Sequence, residues 1–127
     1  MKNSKFYICP HCGNLVEMVH DVGVKLVCCG QKMDELVPNT VEASGEKHIP
    51  VVTIADGVVT VNVGSVNHPM AAEHYIEWVQ LQTENGSQRK YLNPADAPAV
   101  SFQLGSEKAV AVYAYCNLHG LWKTELN

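Results

Sequence analysis

Five cysteines and six histidines are distributed unevenly along this chain of 127 residues. Four of the cysteines lie within the first thirty residues, whereas the fifth, Cys116, shares the later part of the chain with four of the histidines. An odd number of cysteines, in a chain where we expect no export signal, argues against a disulfide scaffold and favours metal binding or redox chemistry. The sequence therefore predicts two sites of different chemistry on two units.

The early cysteines follow a pattern typical of a small metal-stabilised unit. Cys9-Pro10-His11-Cys12 is a C-x-x-C motif, and Cys28 and Cys29 form an adjacent pair. Below about 40 residues, apolar burial alone rarely stabilises a fold, so a metal is usually needed. Four thiolates suit zinc or a single iron, and an iron–sulfur cluster accepts the same donors. Because successive side chains diverge along an extended backbone, we expect the adjacent pair to distort a tetrahedral site.

The remainder of the chain has the pattern of an all-β domain. We predict a metal-bound unit over 1–37, a linker over 38–45 that is rich in breaking residues, and a second domain over 46–127. From Ile49 onward, apolar residues recur with a period of two, as in Val58–Val63. About seven short strands, separated by turn signals and without a convincing helical stripe, predict a small antiparallel β-sandwich.

Composition excludes several classes of protein. Hydrophobic residues make up 46% of the chain and charged residues 17%, which favours a packed core over disorder. A formal net charge of −4 argues against a nucleic-acid binder that relies on bulk positive charge. No apolar run approaches the roughly 20 residues of a membrane span, so we expect no membrane association and a cytoplasmic location.

Five metal-binding side chains of the later segment lie near predicted strand ends or loops, where distant parts of a chain converge on a rigid scaffold. They are His48, His68, His74, Cys116 and His119. Several imidazoles with one thiolate favour a transition metal over magnesium or calcium. Five ligands leave one octahedral position open, and a thiolate donates electron density to the metal, as in the haem enzymes that cleave O–O bonds. We therefore predict a reactive centre that binds a small oxygen species.

The motifs E-K-H-x-P, H-P-M, H-Y-I-x-W and C-N-x-H-G, together with the early C-x-x-C and Cys-Cys, resemble desulfoferrodoxin, the two-iron form of superoxide reductase. The resemblance implies a desulforedoxin-like module followed by an immunoglobulin-like β-sandwich. It implies an Fe(Cys)4 centre held by Cys9, Cys12, Cys28 and Cys29. It also implies a catalytic ferrous centre with four equatorial imidazoles and one axial thiolate, from His48, His68, His74, His119 and Cys116.

The same resemblance implies an activity and partners. Family members reduce superoxide to hydrogen peroxide without releasing oxygen and are recharged by rubredoxin or another small electron donor. They are typically homodimers in anaerobic or microaerophilic prokaryotes. Lys47 is then expected to steer the anion and to organise a proton-carrying water. Glu46 resembles the family glutamate that takes the sixth position in the resting ferric state.

The same residues also fit less specific functions. The early site alone can act as an electron carrier or as a structural zinc module, with the later histidines incidental, and metal storage is a third function. Lys47 and Glu46 also fit ordinary solvated surface charges. His11 and His20 are expected to be exposed and not to bind metal. Aromatic residues and a methionine are interpreted as packing, namely Trp78, Tyr113, Tyr115, Trp122 and Met70.

Overall fold

The computed structural model describes residues 3–126. These residues form two compact units, one that ends at Val37 and one that begins at Pro38. Within the described part of the chain, both units are almost entirely β, and the helical content is a single four-residue segment. No helix in residues 3–126 has the length and apolar character needed to cross a membrane.

The smaller unit is built from very short strands. Its strands are β1 (Phe6–Ile8), β2 (Leu15–Glu17), β3 (Val27–Cys28), β4 (Gln31–Lys32) and β5 (Asp34–Glu35). β1 pairs antiparallel with both β2 and β5, and β3 pairs with β4 in a separate hairpin. The buried cluster inside this unit contains only Tyr7, Cys9 and Met33, with a few half-buried neighbours. So little apolar burial is weak support for a fold of this size.

The larger unit is a sandwich of two antiparallel sheets. Its elements are α1 (Gly45–His48), β6 (Pro50–Ala55), β7 (Val58–Val63), β8 (Ile76–Thr83), β9 (Ser87–Tyr91), β10 (Ala99–Gln103), β11 (Ala109–Cys116) and β12 (Gly120–Glu125). The strand orders are β10-β7-β6 and β12-β11-β8-β9. Counting from β6, the second strand pairs with the fifth, and the third, sixth and seventh share the other sheet, as in immunoglobulin domains. This confirms the predicted all-β architecture.

The core of the sandwich lies between its two sheets. Val59, Val61 and Val63 of β7 are fully buried, as the period-two pattern predicts. They belong to one apolar cluster with residues of β8 and β11, including Val79 and Val112. β11 departs from simple alternation because all eight of its residues are buried. Other side chains cover two of its residues, since the Lys123 ammonium lies 5.4 Å from the Tyr113 ring and the Trp78 ring stacks on Tyr115 at 5.6 Å.

α1 is a local feature that periodicity does not reveal. It has four residues, and its N-cap residue Ser44 makes no side-chain capping hydrogen bond. The loop after β7 holds it from outside, since the Glu46 carbonyl accepts hydrogen bonds from the Val66 N–H at 2.9 Å and the Ser65 hydroxyl at 3.2 Å. Tertiary contacts therefore fix the conformation of this segment, and the hydrophobic pattern of the sequence does not predict them.

Part of the segment predicted as a linker is hydrogen-bonded to the sandwich. The Asn39 side chain donates to the Lys123 carbonyl at 3.0 Å and accepts from the Lys123 N–H at 2.9 Å. The Asn39 N–H donates to the Leu121 carbonyl at 3.1 Å. The beginning of the segment is thus attached to β12, while the functional division into 1–37, 38–45 and 46–127 stays a prediction.

Candidate metal centres

The four early cysteines lie in two tight turns of the smaller unit. After β1, the Cys12 N–H donates to the Cys9 sulfur at 3.4 Å, and the Gly13 N–H donates to the Cys9 carbonyl at 3.0 Å. Gly13 adopts φ +83°, a left-handed conformation that glycine tolerates without strain. Cys28 ends β3, and Cys29 begins the turn into β4. The four sulfur atoms all lie within 4.8 Å of one another.

The adjacent cysteines converge because their backbone is not extended. Cys29 has φ +53° and is followed by Gly30 at φ +74°, which closes a two-residue hairpin turn. The predicted distortion assumed an extended backbone at this pair; that assumption is wrong for Cys29, and the two sulfurs are 4.0 Å apart. The sulfurs of Cys12 and Cys28 are 3.6 Å apart. Metal–sulfur bonds of about 2.3 Å give tetrahedral edges of roughly 3.8 Å, so the donor set fits one tetrahedral metal with a lengthened Cys28–Cys29 edge.

The pKa values of these thiols indicate that the cluster suits a bound cation. The backbone N–H of Cys12 lowers the pKa of Cys9 to about 6. In contrast, the hydrogen bond with Cys12 raises the pKa of Cys29 to about 12, and the same partner raises the pKa of Cys28. The cluster alone stabilises one thiolate and resists further negative charge, so a cation is needed before all four become thiolates. His11 and His20 are exposed, as expected.

The later donors gather at one end of the sandwich. α1 leads into the start of β6, which pairs with the end of β7, and the start of β8 pairs with the end of β11. Each donor side chain belongs to one of these ends or to a loop beside it: His48 in α1, His68 in the β7–β8 loop, His74 before β8, Cys116 at the end of β11 and His119 before β12. Antiparallel pairing therefore brings together residues that are far apart in the sequence.

The four imidazoles surround a common point. Ring-centroid distances between neighbours are 4.6 Å for His48 and His68, 4.7 Å for His68 and His74, 5.1 Å for His74 and His119, and 5.0 Å for His119 and His48. The centroids of His48 and His74 are 6.4 Å apart, so these two rings lie opposite each other. Neighbouring rings are tilted by 77° to 84°, and the opposite pair by 32°. The four imidazoles are therefore arranged around one point as a set of nitrogen donors.

Hydrogen bonds fix the tautomers of two of these rings. The Nδ1–H of His48 donates to the Ser44 carbonyl at 2.7 Å, and the Nδ1–H of His68 donates to the Pro69 carbonyl at 2.6 Å. Burial lowers the pKa of both rings, that of His68 to about 4, so both are neutral near pH 7. Their Nε2 atoms, 3.2 Å apart, then present lone pairs to each other without a proton to share. A bound cation relieves that repulsion.

Two further features fit a metal at this point. Within residues 3–126, the Nε2 of His74 is a buried side-chain nitrogen without any hydrogen-bond partner. The Nδ1 of His119 lies 3.2 Å from the Nε2 of His48, so it also faces into the cluster. Neutral imidazoles with unpaired nitrogens suit a transition metal, and a ring oriented by a carbonyl is the usual arrangement of a metal-binding histidine.

Cys116 supplies the sulfur on the core side of the cluster. It is fully buried in the apolar core, and its sulfur is 3.9 Å from the Nδ1 of His119. Burial raises the pKa of this thiol, while the backbone N–H groups of His119 and Leu118 oppose the shift. The His119 N–H donates to the sulfur at 3.4 Å. The Asn117 N–H donates elsewhere, to the Tyr75 carbonyl at 3.2 Å.

Glu46 and Lys47 immediately precede His48 and are both exposed. The Lys47 ammonium is close enough to the cluster to lower the pKa of His48 and His74, although burial has the larger effect on both rings. A positive charge therefore lies beside the imidazoles, on a helix that also carries one of them.

Trp122 has a larger part in the site than the sequence indicated. Its ring stacks on His48 with a centroid distance of 4.8 Å, and its Nε1–H donates to the His119 carbonyl at 3.1 Å. It thus contacts two of the four histidines, whereas the sequence supported only a packing role. The signal available in the sequence was its position three residues after His119, next to the motif C-N-x-H-G.

Comparison with known families agrees with this arrangement. A family model described as desulfoferrodoxin matches residues 40–125, and a second, described as the desulfoferrodoxin N-terminal domain, matches residues 2–36. The chain belongs to the desulfoferrodoxin family. A desulfoferrodoxin of Nitratidesulfovibrio vulgaris is 46% identical over 121 residues, which cover 95% of each chain. The resemblance predicted from the motifs is confirmed.

Other relatives of this chain carry the name superoxide reductase. The crystal structure of the superoxide reductase from Treponema pallidum superposes with a TM-score of 0.81 at 38% identity, covering 98% of this chain and all of that one. A superoxide reductase of Thermococcus kodakarensis is 36% identical over 100 residues, which cover 65% of this chain and 87% of the relative. The two donor clusters, one of four cysteines and one of histidines with a cysteine, are consistent with the two iron centres of the family.

Proposed function

We propose that this member of the desulfoferrodoxin family is a superoxide reductase, which converts superoxide to hydrogen peroxide with one electron and two protons and releases no oxygen. The observation that carries this conclusion is the gathering of four imidazoles and one buried cysteine around a single point. Superoxide reductases among its relatives, including one that superposes over nearly the whole chain, support the same activity.

The proposed iron ligands form two sets. The catalytic iron is assigned to His48, His68, His74, His119 and Cys116, and the Fe(Cys)4 centre to Cys9, Cys12, Cys28 and Cys29. Ferrous iron held by the first set would supply the electron that superoxide accepts. The lone pairs on the Nε2 atoms of His48 and His68 and the unpartnered Nε2 of His74 favour this assignment. The Cys116 thiolate, held in the core by the His119 N–H, adds electron density from the buried side of the cluster.

Lys47 is proposed to bring the substrate to the site. Superoxide is an anion, and a local positive charge at the mouth of a site accelerates the arrival of anions even when the whole chain has a net charge of −4. Burial lowers the pKa of His74 most, and the Lys47 ammonium adds a smaller lowering, which supports a positive field at the cluster. We also assign to Lys47 the orientation of a water molecule that carries a proton toward the product.

Glu46 is proposed to occupy the exposed side of the site in the resting oxidised state. Its side chain is exposed and lies two residues before His48 on the same short helix. A carboxylate that binds there after turnover displaces the peroxide product and excludes other anions. Hydrogen bonds from Ser65 and Val66 to the Glu46 carbonyl hold the backbone at this position and leave the side chain exposed.

Partners and location follow from the same proposal. Rubredoxin or a similar small protein is proposed as the electron donor, and a second copy of the chain as the structural partner. Exposed valines of the smaller unit, with Val22 at 75%, Val24 at 73% and Val27 at 66% exposure, supply an apolar surface that favours a homodimer. A cytoplasmic location is proposed together with these partners.

Metal analysis with a visible spectrum tests the proposed function. We expect two irons per chain and separate absorption bands from the Fe(Cys)4 and the His/Cys centres. Cys116→Ser should abolish the thiolate-to-iron band of the second centre together with superoxide reduction, while the Fe(Cys)4 band serves as an internal control. One zinc per chain with no second metal would support the structural module instead, and full activity in the serine variant would contradict the role of the thiolate.

A further inference from the structure

We propose that Asn117 is a positioning residue that fixes His74 relative to Cys116 and His119. This inference rests on the ligand set of the proposed function and adds a residue outside that set. Asn117 lies between two of the proposed ligands in sequence, and its hydrogen bonds connect it to the residues on both sides of a third. Asn117 is not itself a proposed metal ligand. It acts on His74 through hydrogen bonds to the backbone of the residues on either side of it.

Three hydrogen bonds join Asn117 to the segment around His74. The side-chain Nδ2–H donates to the Glu73 carbonyl at 3.0 Å, and the side-chain Oδ1 accepts from the Tyr75 N–H at 2.9 Å. The Asn117 N–H donates to the Tyr75 carbonyl at 3.2 Å. These contacts span more than 40 residues of sequence. One residue thus holds the backbone immediately before and immediately after His74.

His74 depends on this support more than His48 and His68 do. His48 and His68 are each oriented by a ring hydrogen bond to a carbonyl. Within the described part of the chain, His74 makes hydrogen bonds only through its backbone, to Ala71 at 3.0 Å and 3.1 Å, and its Nε2 has no partner. The position of its ring is therefore set by the path of its backbone, which Asn117 fixes on the side of the Cys116 loop.

The chemistry of the asparagine side chain matches this task. The Glu73 carbonyl requires a donor and the Tyr75 N–H requires an acceptor, and a primary amide carries both on one planar group. Aspartate retains the acceptor and places a second oxygen against the Glu73 carbonyl. Alanine removes both contacts while leaving the backbone hydrogen bond to Tyr75 possible. The two substitutions therefore separate the halves of the interaction.

The first test measures iron release in the full-length, iron-loaded protein. Partners that orient metal ligands typically contribute 10- to 100-fold in metal affinity. We expect Asn117→Ala to lose iron to a chelator about tenfold faster from the His/Cys centre, seen as decay of its thiolate band, with an unchanged rate for the Fe(Cys)4 band. Asn85→Ala is the matched control, because Asn85 follows β8 at the opposite end of that strand and its Nδ2–H donates to the Glu107 carboxylate at 3.3 Å.

The second test needs no metal. Hydrogen exchange of the Tyr75 amide in the iron-free, full-length chain should accelerate in Asn117→Ala and stay near the wild-type rate in Asn117→Asp, which keeps the acceptor. Unchanged iron release and unchanged Tyr75 exchange in Asn117→Ala, relative to Asn85→Ala, would overturn the proposal. Failure of the ligand set itself is distinguishable, because the wild-type protein would then lack the His/Cys band before any substitution.

Discussion

Lys47 is the residue whose charge most directly links this structure to an anionic substrate. It is exposed, immediately precedes His48, and lowers the pKa of two imidazoles of the cluster. Attraction between a surface lysine and a small anion acts over about 10 Å at 0.1 M salt and weakens as salt increases. The effect of Lys47 is therefore expected on the rate of association and not on the stability of the fold.

Lys47→Ile should lower the rate constant for association with superoxide by about tenfold and flatten its dependence on ionic strength, because the steering charge is lost. Pulse-radiolysis kinetics of the ferrous protein at several salt concentrations measure both effects. Lys108→Ile is the matched control, since Lys108 is exposed and precedes β11 at the end of that strand opposite Cys116. An association rate equal to that of the control would remove Lys47 from the mechanism.

Glu46→Ala should change the oxidised centre and leave the reduced one nearly intact. If the carboxylate occupies the exposed side of the ferric site, its loss opens that side to external anions. The thiolate-to-iron band of the ferric protein is then expected to shift and to respond more strongly to azide and to pH than the wild-type band. A band with the wild-type position and the wild-type response to both would show that Glu46 has no such role.

Residue types together with the family resemblance predicted which side chains meet, and they did not predict how. Histidines and a cysteine near strand ends indicated the later cluster, because imidazole and thiolate are the usual donors for transition metals. The left-handed conformation of Cys29 and the acceptor of the Asn117 N–H are set by three-dimensional context. From the sequence we assumed an extended backbone at Cys29, since the backbone torsions of a non-glycine residue leave no mark in composition or spacing.

At the scale of elements, the position of α1 depends on a close approach to the loop after β7. A Cβ atom at Gly64 would lie 2.6 Å from the Glu46 carbonyl oxygen and 2.9 Å from the Ile49 carbonyl oxygen. Backbone atoms cannot move aside as a flexible side chain does, so α1 has this position only because residue 64 is glycine. The strands were predictable from alternation, whereas this contact between a helix and a loop was not.

Gly64→Ala should therefore destabilise the protein by about 1–3 kcal/mol, the usual cost of adding a methylene-sized group to a tightly packed position. Urea unfolding followed by circular dichroism measures the change. Gly86→Ala is the matched control, because no atom lies within 4 Å of the added Cβ and its φ is not in the left-handed region. Equal free energies of unfolding for the two variants would contradict the close approach.

At the scale of the whole molecule, the two units differ in how much of their stability comes from apolar burial. The sandwich has a core of eleven buried residues, whereas the cluster inside the smaller unit has three. In small units of this kind, metal binding supplies much of the folding free energy. The fold class of both units was predictable, since cysteine spacing and strand periodicity are local signals.

Removal of both metals under reducing conditions should therefore affect the units differently. We expect backbone amides of β1 and β2 to lose protection from hydrogen exchange, while β7 and β11 keep theirs, because the apolar core of the sandwich is intact. Hydrogen exchange measured by mass spectrometry on the iron-loaded and iron-free protein compares the two. Continued protection of β1 and β2 without metal would show that the smaller unit is stable through its own packing.

The His/Cys centre is expected to reduce superoxide and not to dismutate it. Pulse radiolysis of the ferrous protein, with peroxide and oxygen measured in the same sample, tests it most directly. We predict one hydrogen peroxide formed for each superoxide consumed, one iron oxidised per peroxide at the His/Cys centre, and no oxygen released. Half a peroxide per superoxide together with released oxygen, or superoxide decay no faster than in buffer, would contradict the account.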